Sequence, residues 1–386
     1  MKFIAVASEF MTEQEIATIV EENRDLLGQK GYEQISEEDR SEADNLAYFV
    51  ITGGTEKQIL QYEAFRDETE ETVLIAYPKN NSLAACLEVL ARLNQLGKPG
   101  RIDLLSKKNL PLINKTNEPF QADLKGARVG VIGKPSDWLV ASSHSADIVK
   151  DSCKAELVEI SINEFIGLYL SMNDPTDKIV EDLTENATEI LEPSTDDLNK
   201  NARVYLTLKE LVEKYKLEAL TIRCFDIVKA LNTTGCFALS QLNDEGIIAG
   251  CEGDITAVLG MMISYKKTGK IPWMANPVSF DTIENSLELA HCTVPRKLVE
   301  SYRLRSHFET NIGVGIQGFF PIGQKVRLWR MGGEDLNMMW QAEGELFATG
   351  CEETQCRTQI KVKLFNKQVA ELLNNPLGNH LVVELL

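Results

Sequence analysis

Hydrophobic residues in this chain come in short β-branched runs, separated by segments where apolar positions recur every three or four residues. The runs KFIAVAS, LAYFVITGG and TVLIAYP predict buried strands, and TEQEIATIVEENRDLLGQ and SLAACLEVLARLNQLG predict amphipathic helices between them. Such alternation marks parallel-sheet α/β units. A second unit opens near residue 123 with the strand LKGARVGVIG, followed by Lys134-Pro135-Ser136-Asp137-Trp138. LEALTIRCFD and EGIIAGCEGD are further strand-to-loop transitions, each preceded by helical sequence such as NARVYLTLKELVEKYK. After about residue 300 the texture changes to turn-punctuated strand runs, HFETNIGVGIQGFF, QKVRLWRM, GELFATG, TQIKVKLF and HLVVELL. The expected architecture is α/β, with two doubly wound parallel-sheet domains over residues 1–122 and 123–270. A C-terminal domain over 271–386 carries an antiparallel β module.

Charge narrows the partners. The 386 residues include 40 Lys and Arg against 58 Asp and Glu, a formal net charge of −18. Such a chain repels phosphate backbones and anionic lipid, so no nucleic-acid or membrane partner is expected, and a small neutral substrate or a cation fits better. The eight cysteines are scattered, show no CxxC pair and mostly sit in apolar surroundings, which predicts buried free thiols in a reducing cytoplasm. The apolar run at MKFIAVASEF is too short for a signal peptide, and no stretch approaches ~18 uninterrupted apolar residues, so a cytoplasmic location is expected. Gly130-Val131-Ile132-Gly133 lacks the GxGxxG spacing, and no dinucleotide cofactor is expected. Thr52-Gly53-Gly54-Thr55 reads as a tight turn that could also admit a ligand beside a helix N-terminus.

The segment GIIAGCEGDITAVLGMM carries most of the chemical information. Glu252 falls at the carboxyl end of an apolar strand, where open α/β sheets place ligands. A carboxylate there needs a metal, an arginine or a substrate hydroxyl to offset its desolvation. Asp254 stands directly before a helical run and reads as an N-cap. The chain has four histidines. His291 ends the run SLELA where a strand stops, and His380 sits in PLGNH before the final strand; the pair points to metal ligation. His144 is expected near a helix start and His307 on a polar face.

AGCEGD followed by a helix, then MANPVSFD, LELAHCTVP and GNH, in that order, resemble the L-fucose/L-arabinose isomerase superfamily. RVGVIGKPSDWL resembles that family's middle-domain strand and loop, and the resemblance spans roughly residues 123–386. It implies Mn²⁺ or another divalent ion, a monosaccharide substrate, aldose–ketose interconversion through an ene-diol, and a homo-oligomer, trimer or hexamer. It implies Glu252 as metal ligand and acid/base, with His380 and His291 as metal histidines. Trp138 is implied at the pocket wall and Arg223 as a contact for sugar hydroxyls. Asn276 stands where the family carries its second carboxylate; an amide carbonyl can ligate a cation but cannot act as a general base. The catalytic role then falls to Asp281 or Glu284, whose spacing also matches a capping box. That departure gives an alternative expectation, a sugar- and metal-binding homologue without isomerase turnover.

Overall fold

The computed structural model describes residues 1–42, 45–105 and 117–386. The first parallel sheet has the order Glu33–Gln34, Lys2–Val6, Leu46–Val50, Thr72–Ala76, Gly100–Leu104. Leu46–Val50 and Thr72–Ala76 are buried at every position, which explains their unbroken apolar runs. The chain order reverses beside Lys2–Val6, so the carboxyl ends of that strand and of Leu46–Val50 open a crevice. The sequence predicts one helix after the first strand; two form instead, Glu13–Glu22 and Arg24–Gln29, divided at Asn23.

The second sheet is also parallel, with the order Ile248–Gly250, Ala219–Ile222, Arg128–Ile132, Glu156–Ile160. The expected doubly wound layers are therefore present. The β module is antiparallel as well, and it closes. Its strands run Lys325–Gly332, Leu381–Leu385, Trp273–Asp281, Ser286–His291, Thr358–Leu364 and Met338–Thr349, and the last pairs back onto the first. Closure removes free sheet edges and makes a barrel. Glu118–Pro119 adds to Met338–Thr349, and a small sheet joins Glu189–Ile190, Ser301–Arg305 and Gly315–Phe319.

Two buried helices tie the layers together. Ser82–Gln95 packs on the first sheet and on the barrel strand Trp273–Asp281. Ile255–Thr268 packs between the second sheet and the strands Lys325–Gly332 and Leu381–Leu385. Its apolar residues face both ways, as a helix buried on two sides requires. Gly260 lets it approach the barrel, since a Cβ there would lie 3.1 Å from Val382 Cγ2.

Candidate metal-binding site

Glu252 follows the strand Ile248–Gly250 in a left-handed conformation, φ 65°, and Gly253 continues it with φ 74°. A side chain at Gly253 would lie 2.7 Å from Pro135 Cα and 2.8 Å from Lys134 O, so only glycine lets the two loops touch. The contact is fixed by Ser136 N–H donating to Glu252 O at 2.9 Å. Trp138, from the same facing loop, donates its indole N–H to Glu252 Oε2 at 2.6 Å.

The barrel supplies the rest. Ala275 pairs with Leu381, and Asn276 pairs with Ala290. Asn276 and His291, on neighbouring strands, and His380, directly before the strand Leu381–Leu385, therefore stand together at one rim, facing the loop that carries Glu252. Glu252 Oε1 lies 3.5 Å from His380 Nε2 and 4.0 Å from His291 Nε2. One ligating atom from each of the three residues lies within 4.8 Å of the others. Ligands each about 2.1 Å from one ion sit roughly 3.0–3.5 Å apart at octahedral or tetrahedral angles, so a small closing movement suffices.

Two buried atoms in this cluster, His380 Nε2 and Asn276 Oδ1, have no hydrogen-bond partner among the described residues. Left so, each carries a desolvation penalty. A cation bound between them and Glu252 would remove it. Two imidazoles, a carboxylate and an amide oxygen form a donor set suited to a borderline divalent ion.

His380 Nδ1 lies 2.8 Å from Asp254 Oδ2. The carboxylate only accepts, so Nδ1 keeps its proton, and a cation that displaces the second proton from Nε2 would meet a lone pair facing Glu252. Asp254 is also the expected N-cap: its Oδ1 accepts from Ala257 N–H at 2.7 Å. Beneath it, Arg330 Nη1 reaches Asp254 Oδ2 at 3.5 Å and donates to His380 O at 2.6 Å. Arg330 Nη2 donates to Ser142 Oγ. Glu88, wholly buried on Ser82–Gln95, accepts from Ala141 N–H, Ser142 N–H and Asn379 N–H at 2.8, 2.9 and 3.0 Å. One side chain thus joins all three layers just below His380.

Electrostatics separate the two histidines. Burial disfavours the charged ring of His380, but Glu252 and Asp254 outweigh it and lift its pKa to about 9. His291 is held down to about 4 by burial and by His380, and its Nδ1 lies 2.9 Å from Thr293 Oγ1. Burial works against ionised Glu252, yet His380, His291 and the Trp138 N–H hold its carboxyl below the usual range. Asp254, despite burial, is kept ionised by Arg330 and His380, at about 2.

The cluster opens on a cavity of about 300 Å³. Glu252, Asn276 and His291 line one side, with Trp138 and Phe225 beside them. The crevice of the first sheet closes the other side through Ser8, Thr52, Gly53 and Gly54, so the glycine turn faces the cavity. Phe10 stacks on Phe225 at 5.8 Å, and Trp138 meets Phe225 edge-on at 5.4 Å, an aromatic corner. Asn80 N–H donates to Thr354 O, and Asn81 Nδ2 to Glu309 Oε1, across the top. Among the described lining residues are four carboxylates, Glu56, Glu252, Glu309 and Glu353, and no lysine or arginine.

Not every expected site residue reaches this cavity. Arg223 is engaged by Pro135 O at 3.0 Å, Asp137 at 3.0 Å and Asp226 at 3.2 Å, and does not line it. Two nearby acids capture its guanidinium, which braces the loop carrying Trp138. Asp281 ends the strand on which Asn276 sits near the start, and its Oδ1 accepts from Ile283 and Glu284 N–H at 2.8 and 3.0 Å. The intervening residues are extended strand, about 3.3 Å each, which carries Asp281 roughly 16 Å away along the barrel. Its other reading, a turn-capping acid, is the one its hydrogen bonds express.

The pattern overlooked Glu56 and Glu309. Glu56 begins the helix Glu56–Glu63 directly after the glycine turn, a signal the sequence did contain. Glu309 and His307 lie in a turn that the sequence presents as strand; His307 lines the cavity instead of a polar face. His144 does precede a helix, Ala146–Cys153. All eight cysteines are free and seven are buried, five of them on the cavity wall.

A parallel-sheet α/β protein with a closed β barrel and a Glu–His–His cluster is thus the class in hand. No known family model matches the chain. It is similar to the sulfoquinovose isomerase of Alkalicoccus urumqiensis, 24% identical over 173 residues, which are 44% of this chain and 39% of that protein. The sulfoquinovose isomerase of Clostridium sp. (strain MSTE9) is 35% identical over 91 residues, 23% of this chain and 20% of its own length. That of Priestia aryabhattai is 22% identical over 173 residues, 44% and 38% respectively. The matched stretch therefore spans about two fifths or less of the curated relatives. No helix of the described residues is long and apolar enough to cross a membrane.

Proposed function

We propose that this chain is a divalent-metal-dependent aldose–ketose isomerase acting on an uncharged monosaccharide. The observation that carries the reading is the convergence of Glu252, His291 and His380, with orphaned Asn276 Oδ1, at the edge of one cavity. Similarity to proteins named sulfoquinovose isomerase supports sugar isomerisation. The motif resemblance to L-fucose/L-arabinose isomerases supports Mn²⁺ as the ion and a trimer or hexamer as the assembly. The absence of lysine and arginine among the described lining residues favours a neutral sugar over the sulfonated one in the relatives' name, because nothing there compensates an anion.

When bound, a divalent ion supplies Lewis-acid polarisation of the sugar's C1 and C2 oxygens. Glu252 and the two imidazoles would hold it, and Asp254 keeps the His380 lone pair turned toward it. Trp138 fixes the Glu252 carboxylate and, with Phe10 and Phe225, offers faces to the sugar's apolar edges. The test is incubation with Mn²⁺ and a panel of uncharged aldopentoses, aldohexoses and 6-deoxyaldohexoses, with sulfoquinovose alongside. Conversion of an uncharged aldose to its ketose is expected, and Glu252→Gln abolishes both conversion and Mn²⁺ binding. No conversion of any panel member refutes the reading. The alternative, a metal- and sugar-binding homologue without turnover, draws on Asn276, which cannot take a proton; binding by calorimetry without product selects it.

A further inference from the structure

We propose that Glu309 is the proton carrier of this isomerisation, the group that removes the C2 proton and returns it at C1. The inference rests on the isomerase reading and adds a residue that the motif resemblance does not contain.

Interconversion moves one hydrogen between carbons and one between oxygens. The C2–H bond breaks and its proton passes to a base. Its electron pair forms the C1=C2 bond, while the C1=O1 pair moves to O1, which takes a proton. In the second half O2–H is lost, C2=O2 forms, and C1 recovers the proton from the same acid. Atoms and electrons balance without an oxidant, but one residue must carry a proton throughout.

Glu252 is committed elsewhere: Oε2 accepts from Trp138, and Oε1 faces the two histidines. Asn276 has no basic site. Among the other carboxylates lining the cavity, Glu353 is paired with Arg305 and Arg357 at 2.8 and 2.9 Å, which hold it below the usual range. Glu56 is nearly inaccessible at 2% exposure.

Glu309 differs from both. It reaches into the open cavity, and Asn81 Nδ2, 3.2 Å from its Oε1, orients it from the opposite side of the opening. The turn beneath is fixed by His307 N–H to Ile312 O at 3.0 Å and Asn311 N–H to His307 O at 2.8 Å. Its side chain is open to solvent at the cavity, where a substrate can reach it. The surrounding protein, then Glu252 and Cys292, push its carboxyl up to about 8, so near neutrality it both accepts and releases a proton.

The experiment uses Mn²⁺-loaded protein and the fastest aldose of the panel, in H₂O and D₂O. Glu309→Gln is expected to lower kcat by about 10²–10⁴ with KM nearly unchanged. It should bind Mn²⁺ as the wild type does and stop deuterium entry at the sugar's C1 and C2. Glu309→Asp should restore part of both, with circular dichroism confirming the fold of each variant. Turnover within about fivefold of wild type, or continued deuterium exchange, overturns the assignment; loss of exchange in Glu56→Gln but not in Glu309→Gln gives the role to Glu56. Wild-type protein that isomerises no aldose removes the isomerase reading itself, an outcome distinct from an active enzyme indifferent to Glu309.

Discussion

Asp254→Asn separates two duties that one carboxylate performs. Oδ1 caps the helix Ile255–Thr268 through Ala257 N–H, and Oδ2 accepts the hydrogen bond of His380 Nδ1–H while facing Arg330. Asparagine caps as well as aspartate, so the helix start changes by only a few tenths of a kcal/mol. With its oxygen on the cap, the new amide turns an N–H toward His380 Nδ1. The ring then carries its proton on Nε2, aimed at Glu252, and has no lone pair for an ion. Restoring the binding tautomer leaves two buried donors face to face, a penalty of about 1–3 kcal/mol. At about 1.4 kcal/mol per decade this weakens Mn²⁺ binding roughly 10- to 100-fold, the usual range for losing a group that orients a metal histidine. Arg330 also loses its counter-charge but keeps Leu377 O, His380 O and Ser142 Oγ, so metal-free stability falls by less than the ~3–5 kcal/mol of a fully orphaned buried charge. Mn²⁺ titration by calorimetry or electron paramagnetic resonance measures the first effect and thermal unfolding the second. A folded Asp254→Asn protein with Mn²⁺ affinity within threefold of wild type refutes the tautomer argument.

Trp138→Phe keeps the aromatic corner and removes the donor to Glu252, a charge-assisted bond of about 1.5–3 kcal/mol. It should raise the Glu252 pKa and weaken Mn²⁺ binding about tenfold or more, read by calorimetry across pH; unchanged affinity would show the indole to be only a wall. The histidine share of stability should fall as pH drops from about 6.5 toward 5, against an opposite slope from Glu56 and Glu309, whose raised carboxyls take up protons on folding. His144 and His291 are held neutral, chiefly by burial, His291 at about 4, so the unfolded chain takes up protons that the folded chain refuses. His380, raised to about 9, contributes stability that is fully present below 6.5 and lost only as pH rises through 9, so it does not reverse the sign in that window. Denaturant midpoints between pH 5 and 7 isolate this share: relative to wild type, His144→Gln should gain stability as pH falls, and an equal slope in that variant contradicts the His144 share.

Much of this protein is written in local pattern. Alternating β-branched runs and helical periods determine the two parallel sheets, because strand burial and helix amphipathicity leave different periods in the chain. The N-cap at Asp254 and the placement of Glu252 at a strand end follow from neighbouring residues alone. His291 and His380 stand out because one ends an apolar run and the other stands directly before one. Tertiary structure decides what those residues meet. Barrel pairing, not proximity in sequence, sets His380, Asn276 and His291 side by side, and it carries Asp281 to the other end of the strand. Arg223 looks available until Asp137 and Asp226 close on it. Glu56 and Glu88 look like ordinary surface acids until loops and helices from distant parts of the chain enclose them, and Glu309 until its turn is carried to the cavity. Pattern reports how each segment buries itself, whereas a cavity is a property of surfaces brought together by long-range packing.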